Sequence, residues 1–408
     1  MSVNSAGGRT LLGVLLSMVA APAALAQEAT LTLAEALELA GTSPSVDVTE
    51  AQVDVARGNQ QQAGLRPNPE VSVEFENIAG TGVFRGLRAT ETTMAVGQRL
   101  ELGGKRSARV EAARAETRVA ELRAEIARAD LALQVRQRFI DAVAARQRLL
   151  LAEQALTRSQ ELARIARVLV DVGRDPPLRA LRAEANLGEA EAELTERTAE
   201  DEIARRLLAA LWGEPTPPLS VNENSLPIDA RAAPAEPLSV LAIRLADAEL
   251  EAAEAVIDRE RSLRTPDLTL SAGVRRNEEA DAQGFIVGAS VALPLFNRNQ
   301  GSIVAAQAAA RAAEAQRALL VVESARSIAT ARAMLGAAEE RVETLEIRTV
   351  PQAEEALRLA TIGYRAGRFS LIELLDATDA RDSALNSLIN AREARDNAAA
   401  MFLRATAE

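Results

Sequence analysis

From Lys105 to Val172 the chain runs for 68 residues without a glycine or a proline. At about 1.5 Å per residue such a run predicts a helix roughly 100 Å long, and no compact domain has room for it. Within it Leu122, Ile126, Ala129, Leu133, Ile140, Val143 and Leu150 fall on a four-three spacing, interrupted by Arg136 and Gln147. Leu131, Val135, Ala142, Ala145 and Leu149 form a second stripe on another face. Two stripes require neighbours on two sides, as in a bundle or a closed ring of helices, whereas a two-stranded coiled coil needs one. The helix is expected to end in "VDVGRDPP" at 170–177, with Gly173 in the turn and Pro176 or Pro177 opening a returning helix.

The pattern occurs twice. "LRPNPEVSVEF" at 65–75 returns as "LRTPDLTLSAG" at 263–273, and "VGQRLELGGKR" at 96–106 has its counterpart in "SVALPLFNRNQG" at 290–301. The turn at Gly173 matches "YRAGRFS" around Gly367, 194 residues later. Each half reads helix, two strands, long helix, glycine turn, helix. The period is far longer than a solenoid unit, so the pattern is an internal duplication. The halves are 27–211 and 238–408, and the connector 212–237 between them holds six prolines and reads as irregular. Thr32 with Glu35 forms a capping box for the first helix.

The strands alternate strictly. Val71, Val73 and Phe75 oppose Ser72, Glu74 and Glu76; Met94, Val96, Leu100 and Leu102 oppose Thr93, Ala95, Gly97, Arg99 and Glu101. In the second half Leu268, Leu270, Ala272 and Val274 oppose Asp267, Thr269, Ser271 and Arg275, and Phe285 to Leu295 alternate with Ile286, Gly288, Ser290 and Ala292. Period-two alternation with small or polar residues on one face fits a barrel wall with lipid outside and water inside, or a half-buried soluble sheet. An aromatic content of 2% speaks against lipid, because barrels carry aromatic girdles. Four strands cannot close a bacterial barrel, which begins at eight, and an open edge in hydrocarbon leaves backbone groups unsatisfied. If these strands span a bilayer, several chains must share one barrel.

The amino terminus supplies the compartment. Arg9, the apolar run Leu11–Ala20 and the small-x-small site Ala24-Leu25-Ala26 read as a secretory signal peptide, 1–26. Later segments fall short of the roughly 18 apolar residues of a spanning helix. Cleavage would take the net charge from −11 to about −12, which disfavours nucleic acid as a partner. The chain has no cysteine and no histidine, which removes thiol nucleophiles, the usual general base and most soft-metal sites, so neither an enzyme nor a cofactor is expected. "QRLELGGKRSARVEA" at 98–112 imitates a phosphate loop, but Arg99 stands where the first glycine belongs and Arg106 where Ser or Thr belongs. Gly103 and Gly104 are instead expected to let a strand bend into the long helix, with Lys105 and Arg106 snorkelling at the membrane–water interface.

Taken together, "LTLAEALELA" at 31–40, "LELGGKR" at 100–106, "LPLFNRNQG" at 293–301 and "YRAGRFSLIELLDATDAR" at 364–381 resemble the TolC-type outer membrane efflux channel family, within it the CzcC-like heavy-metal branch. The likeness covers nearly the whole mature chain and lies in the duplicated order of the motifs more than in any one of them. It implies a mainly α fold with a small membrane β part: a homotrimer in which four strands per chain build a twelve-stranded barrel in outer membrane lipid, above a periplasmic tunnel of α-helical hairpins. It implies helical tips that dock on a periplasmic adaptor (membrane fusion) protein, with an inner-membrane transporter of the resistance-nodulation-division type supplying the energy. The docking tips fall on Val172, Gly173 and Arg174 and on Ala366, Gly367 and Arg368. The family's closed aperture uses a tyrosine before the second tip turn and acidic residues after it; Tyr364, Glu373 and Asp376 match, while Arg179 in the first half departs from the pattern.

Read from the residues alone, three copies of such carboxylates would form a cation-favouring collar, or Glu373 and Asp376 simply suit a helix N-terminus. Divalent heavy-metal cations are the expected cargo, with organic compounds or type I secretion as the alternative. A periplasmic coiled-coil adaptor is a more distant one.

Overall fold

The computed structural model describes residues 30–218, 220–230 and 240–407. The signal peptide and residues 219 and 231–237 of the connector lie outside the described residues. Strand β1 (Thr30–Leu31) leads to α1 (Leu33–Ala40) and α2 (Pro44–Ala63), followed by β2 (Glu70–Glu76), β3 (Glu91–Leu100), α3 (Lys105–Asp171) and α4 (Pro177–Ala209). Next come β4 (Ser220–Val221), α5 (Leu241–Ser262), β5 (Leu268–Asn277), β6 (Ala282–Val291), α6 (Gln300–Thr344), α7 (Val350–Arg365) and α8 (Leu371–Ala405). Among the described residues no helix is long and apolar enough to cross a membrane.

The run without glycine or proline forms one helix of 67 residues. Both of its stripes find partners. Val135, Ala142, Ala145 and Leu149 are buried, and so are Leu122, Ile140 and Val143. Around α3 the helices stand in four columns: α2 and α4 end to end, then α3, then α5 and α8 end to end, then α6 with α7. Inter-column ion pairs add register, among them Arg123–Glu249 between α3 and α5 and Arg167–Glu184 between α3 and α4.

The second half departs from the expected continuous long helix. Residues Leu345–Thr349 form a π-helical turn between α6 and α7. Pro351 follows after Val350; it has no N–H to donate, and its ring crowds the carbonyl four residues back, so the helix takes up one widened turn there. The connector also differs from the expected irregular segment. Its β4 pairs in parallel with β1 (Thr30 opposite Ser220, Leu31 opposite Val221). Val221 joins Ala36, Ala40, Val135, Phe139, Ala142, Val143 and Leu208 in the largest apolar cluster, which lies midway along α3.

All four long strands form one antiparallel sheet in the order β2-β3-β5-β6, joining the two halves through β3 and β5. Val73 lies opposite Met94, Met94 opposite Val274 and Val274 opposite Phe285, so the apolar positions of every strand share one face.

Candidate functional site

The apolar face of the sheet is uncovered. Phe285 and Val287 are 93% and 85% exposed, and Val71, Val73, Met94 and Val96 are exposed beside them. Gln98 is a polar residue among these apolar positions, and its amide donates to the carbonyls of Pro67 and Arg99, at 3.0 Å each, so it carries no unmet donor outward. Four of the nine aromatic residues lie at the ends of the strands. Phe75, Phe84 and Phe285 stand exposed near one end of the strands and Phe296 near the other. Exposed phenylalanines thus stand at both ends of the strands despite the low aromatic content.

The opposite face is lined by small and polar residues. Gly97, Ser271 and Gly288 lie in one row across three strands, next to Ala95 and Gly273. A Cβ on Gly273 would collide with the Met94 carbonyl, so a glycine is required at that point of the face. Toward the end away from the helices, Arg275 pairs with Glu76 at 3.0 Å and Glu91 at 3.1 Å.

Where β3 meets α3, Gly103 and Gly104 both have left-handed backbones, at φ +69° and +73°. A side chain at Gly103 would strike Thr265. The expected snorkelling of Lys105 and Arg106 is not what this geometry shows. Lys105 donates to Asp267 at 2.6 Å and is largely buried, and Arg106 donates to the Gly64 carbonyl at the end of α2, also at 2.6 Å. The desolvated carboxylate and the open helix C-terminus nearby give both cations closer partners than the lipid interface does. In the second half Asn299, at φ +57°, takes the place of the glycine and donates to the backbone and side chain of Glu260 at the end of α5.

The two tips share one backbone design. Gly173 and Gly367 are left-handed, at φ +73° and +69°. Arg174 N–H donates to Leu169 O at 2.9 Å and Arg368 N–H to Gly363 O at 2.8 Å, the six-to-one bond of a helix-ending glycine motif. Val172, Arg174, Ala366 and Arg368 are exposed, and neither arginine has an ion-pair partner among the described residues.

Their capping chemistry differs. In the second tip Ser370 and Glu373 form a capping box, with the Ser370 N–H donating to the Glu373 carboxylate at 2.6 Å, which holds that carboxyl below its usual range. Glu373 is thus held by its own helix end. Asp376, one turn on, is exposed. In the first tip Pro176 supplies no side-chain cap, and Arg179 pairs with Asp175 instead. Tyr364 joins the two hairpins. It packs against the cluster formed by Ala163 and Ala166 of α3, Ala183 of α4 and Leu371 and Leu375 of α8, and its hydroxyl is buried without a partner. Burial, then the charge of Asp175, raise its pKa. The sequence did not reveal this proximity, since Tyr364 and Asp175 belong to different halves. Asp379, raised by burial and by Asp382, Asp376 and Glu189 around it, was missed as a member of the acidic group.

The outer columns are open on both flanks. Val48, Val55, Ile203 and Leu207 on α2 and α4 are exposed, as are Val304, Leu319, Val322 and Met334 on α6. Strands β2 and β6 likewise each keep an unpaired edge.

The chain matches the family model described as "Outer membrane efflux protein" over residues 37–214 and 239–408. It is 32% identical over 354 residues to the cobalt-zinc-cadmium resistance protein CzcC of Cupriavidus metallidurans, covering 85% of this chain and 83% of the relative. It is 33% identical over 276 residues to the nickel and cobalt resistance protein CnrC of the same species, covering 67% of this chain and 66% of that one. Among solved structures it superposes on the outer membrane protein VceC of Vibrio cholerae with a TM-score of 0.76 at 22% identity, covering 92% of this chain and 95% of that one.

Proposed function

The chain belongs to the outer membrane efflux protein family, and on that premise we propose that three copies close one passive channel that carries divalent heavy-metal cations out of the periplasm. One observation carries the assembly: the four-stranded sheet, apolar and exposed on one face, ends in two unpaired edges among the described residues, and the helical wall beneath it ends in two uncovered apolar flanks. An unpaired edge inside hydrocarbon is prohibitive, so β6 of one copy must meet β2 of the next, and three copies supply twelve strands. The same operation sets α6 of one copy against α2 and α4 of its neighbour and continues the barrel as a tunnel.

In this reading the tips dock on a periplasmic adaptor, with Arg174 and Arg368 as the exposed cations at equivalent places on both hairpins. An inner-membrane pump of the resistance-nodulation-division type supplies the energy. Tyr364, Glu373 and Asp376 stand near the closed aperture, with Tyr364 bridging the two hairpins and Glu373 committed to its helix cap. The metal cargo is supported by the relatives' names and by the acidic residues Asp376, Asp379 and Glu189 gathered near the tips.

The mass of protein extracted by detergent from isolated outer membranes tests the assembly. Three chains are expected after correction for bound detergent, and a monomer in the soluble periplasmic fraction would overturn the shared barrel. For the cargo, a strain lacking the gene should lose tolerance to cobalt, zinc or cadmium. Loss of tolerance to organic toxicants alone would reassign it.

A further inference from the structure

At the strand ends far from the tunnel, β2 and β3 are joined by residues 77–90, "NIAGTGVFRGLRAT". The loop has a defined fold. Gly82–Phe84 form a 3-10 turn, Gly82 and Gly86 adopt φ of +64° and +76°, and Thr90 O accepts from the Glu278 N–H of the neighbouring hairpin at 3.1 Å. Yet it exposes Ile78, Val83, Phe84 and Leu87, four large apolar side chains on a turn that would face water if the bilayer ended at the strands. Between them stand Arg85 and Arg88, both exposed and without an ion-pair partner among the described residues, and from Ile78 to Thr90 there is no acidic residue.

Under the loop lies a cavity of about 940 Å³ lined by Phe75, Val83, Leu87, Arg88, Thr90 and Thr92. Phe75 and Thr92 occupy lipid-facing positions of their strands, so the cavity opens on the lipid side of the wall. Thr90 is more than nine-tenths buried, and its hydroxyl finds no hydrogen-bond partner. The rim also carries Glu278 and Glu279; Glu278 is paired with Arg276 at 2.7 Å, which leaves the two loop arginines against one free carboxylate.

We propose that this loop and the cavity beneath it bind an anionic lipid of the outer leaflet, with acyl chain against Val83, Leu87 and Phe75 and a headgroup phosphate held by Arg85 and Arg88. Apolar side chains beside unpaired arginines match an interfacial lipid in both of its parts, because the guanidinium fork suits phosphate oxygens and the apolar residues suit the acyl boundary. The unsatisfied Thr90 hydroxyl supplies a donor inside the cavity that a headgroup oxygen would meet. The proposal rests on the outer membrane reading above, which places this end of the sheet at the outer leaflet.

The test is native mass spectrometry of the full-length assembly in detergent, incubated separately with bisphosphorylated lipid A, phosphatidylcholine and inorganic phosphate. Wild-type protein is expected to retain about one lipid A per chain and little phosphatidylcholine. The double substitution R85Q/R88Q should weaken lipid A retention roughly tenfold or more, and V83S/L87S should weaken it with the charges intact. Equal retention by wild type and R85Q/R88Q overturns the proposal, as does equal binding of phosphatidylcholine or full displacement by inorganic phosphate. If R85Q/R88Q loosens the assembly in lipid-free detergent while wild type holds, the loop docks on the adjoining copy and the lipid site is wrong. Absence of the wild-type protein from the outer membrane would sink the underlying reading instead, and is scored separately by fractionation.

Discussion

The two long helices of this protein arise from the same sequence plan and end in the same turn, yet they are built for different surroundings. Helix α3 is continuous and is covered by α2, α4, α5 and α8, with Phe139 fully buried at its middle. Its counterpart is interrupted by the π-helical turn at Leu345–Thr349, and α6 and α7 leave Val304, Leu319, Val322, Met334, Leu359 and Ile362 exposed. The position 194 residues after Phe139 is Ala333, which is exposed. A helix that completes its packing within one chain can be long, apolar and rigid. One whose free side awaits another copy must stay tolerably soluble beforehand, and α6 does so with alanine-rich faces and scattered large side chains.

Substituting Phe139 with alanine should produce the largest effect. It empties the central cluster and is expected to cost about 3–5 kcal/mol in denaturant unfolding. Met334→Ala on α6 should leave a single chain's stability nearly unchanged and weaken association between copies. Equal losses in the two variants would erase the proposed distinction between an internally packed and a shared helix.

The tips provide a narrower test. Gly173 and Gly367 have open space where a Cβ would go, so alanine at either would add only left-handed backbone strain, about 1–2 kcal/mol. Hydrogen exchange in the last turn of α3 or α7 should accelerate alike in both variants. Marked inequality would show that the shared backbone design conceals a difference in packing.

Capping separates the tips again. Ser370→Ala should cost about 1 kcal/mol of local stability at the start of α8, whereas Pro176→Ala removes no side-chain bond. Glu373 adds a pH dependence to the second tip alone. Its folded pKa is depressed, so its contribution is complete above the unfolded value of about 4.3 and fades as pH falls through the lower folded value. Exchange at the start of α8 should therefore rise in acid more than at the start of α4. A parallel rise would mean that the box is not what holds Glu373.

The smallest change expected is at Tyr364. Because its hydroxyl has no partner, Tyr364→Phe should alter stability by less than about 0.5 kcal/mol. Conductance in planar bilayers would stay near wild type if the ring acts by packing. A clear rise in resting conductance would instead place the hydroxyl in the closed gate.

Much of this was legible beforehand because it is local. A gap in glycine and proline marks a long helix, Gly103-Gly104 and Gly367 mark left-handed turns, Thr32 with Glu35 marks a cap, and alternation marks the strands. Each depends on neighbours within a few residues, and backbone sterics decide it without help from the rest of the chain. The expectation of a continuous second helix overlooked Pro351, and a proline by itself leaves open whether a helix kinks, ends or widens by one turn, as it does here. The β1–β4 pair escaped notice because two residues carry no periodicity.

Partners far apart in sequence belong to tertiary structure alone. Lys105 meets Asp267, the charge of Asp175 reaches Tyr364, and the Thr90 hydroxyl is buried without a hydrogen-bond partner under a loop whose composition reads as ordinary turn. Side-chain chemistry states what each group could bond, and only the folded chain brings a particular partner within reach. The sequence by itself thus determined the repeated plan of helices and strands and the character of the sheet's two faces. The tertiary structure decided which groups are paired, which are left open at the edges and flanks, and where a cavity forms, because those depend on distances between residues that the chain joins only in space.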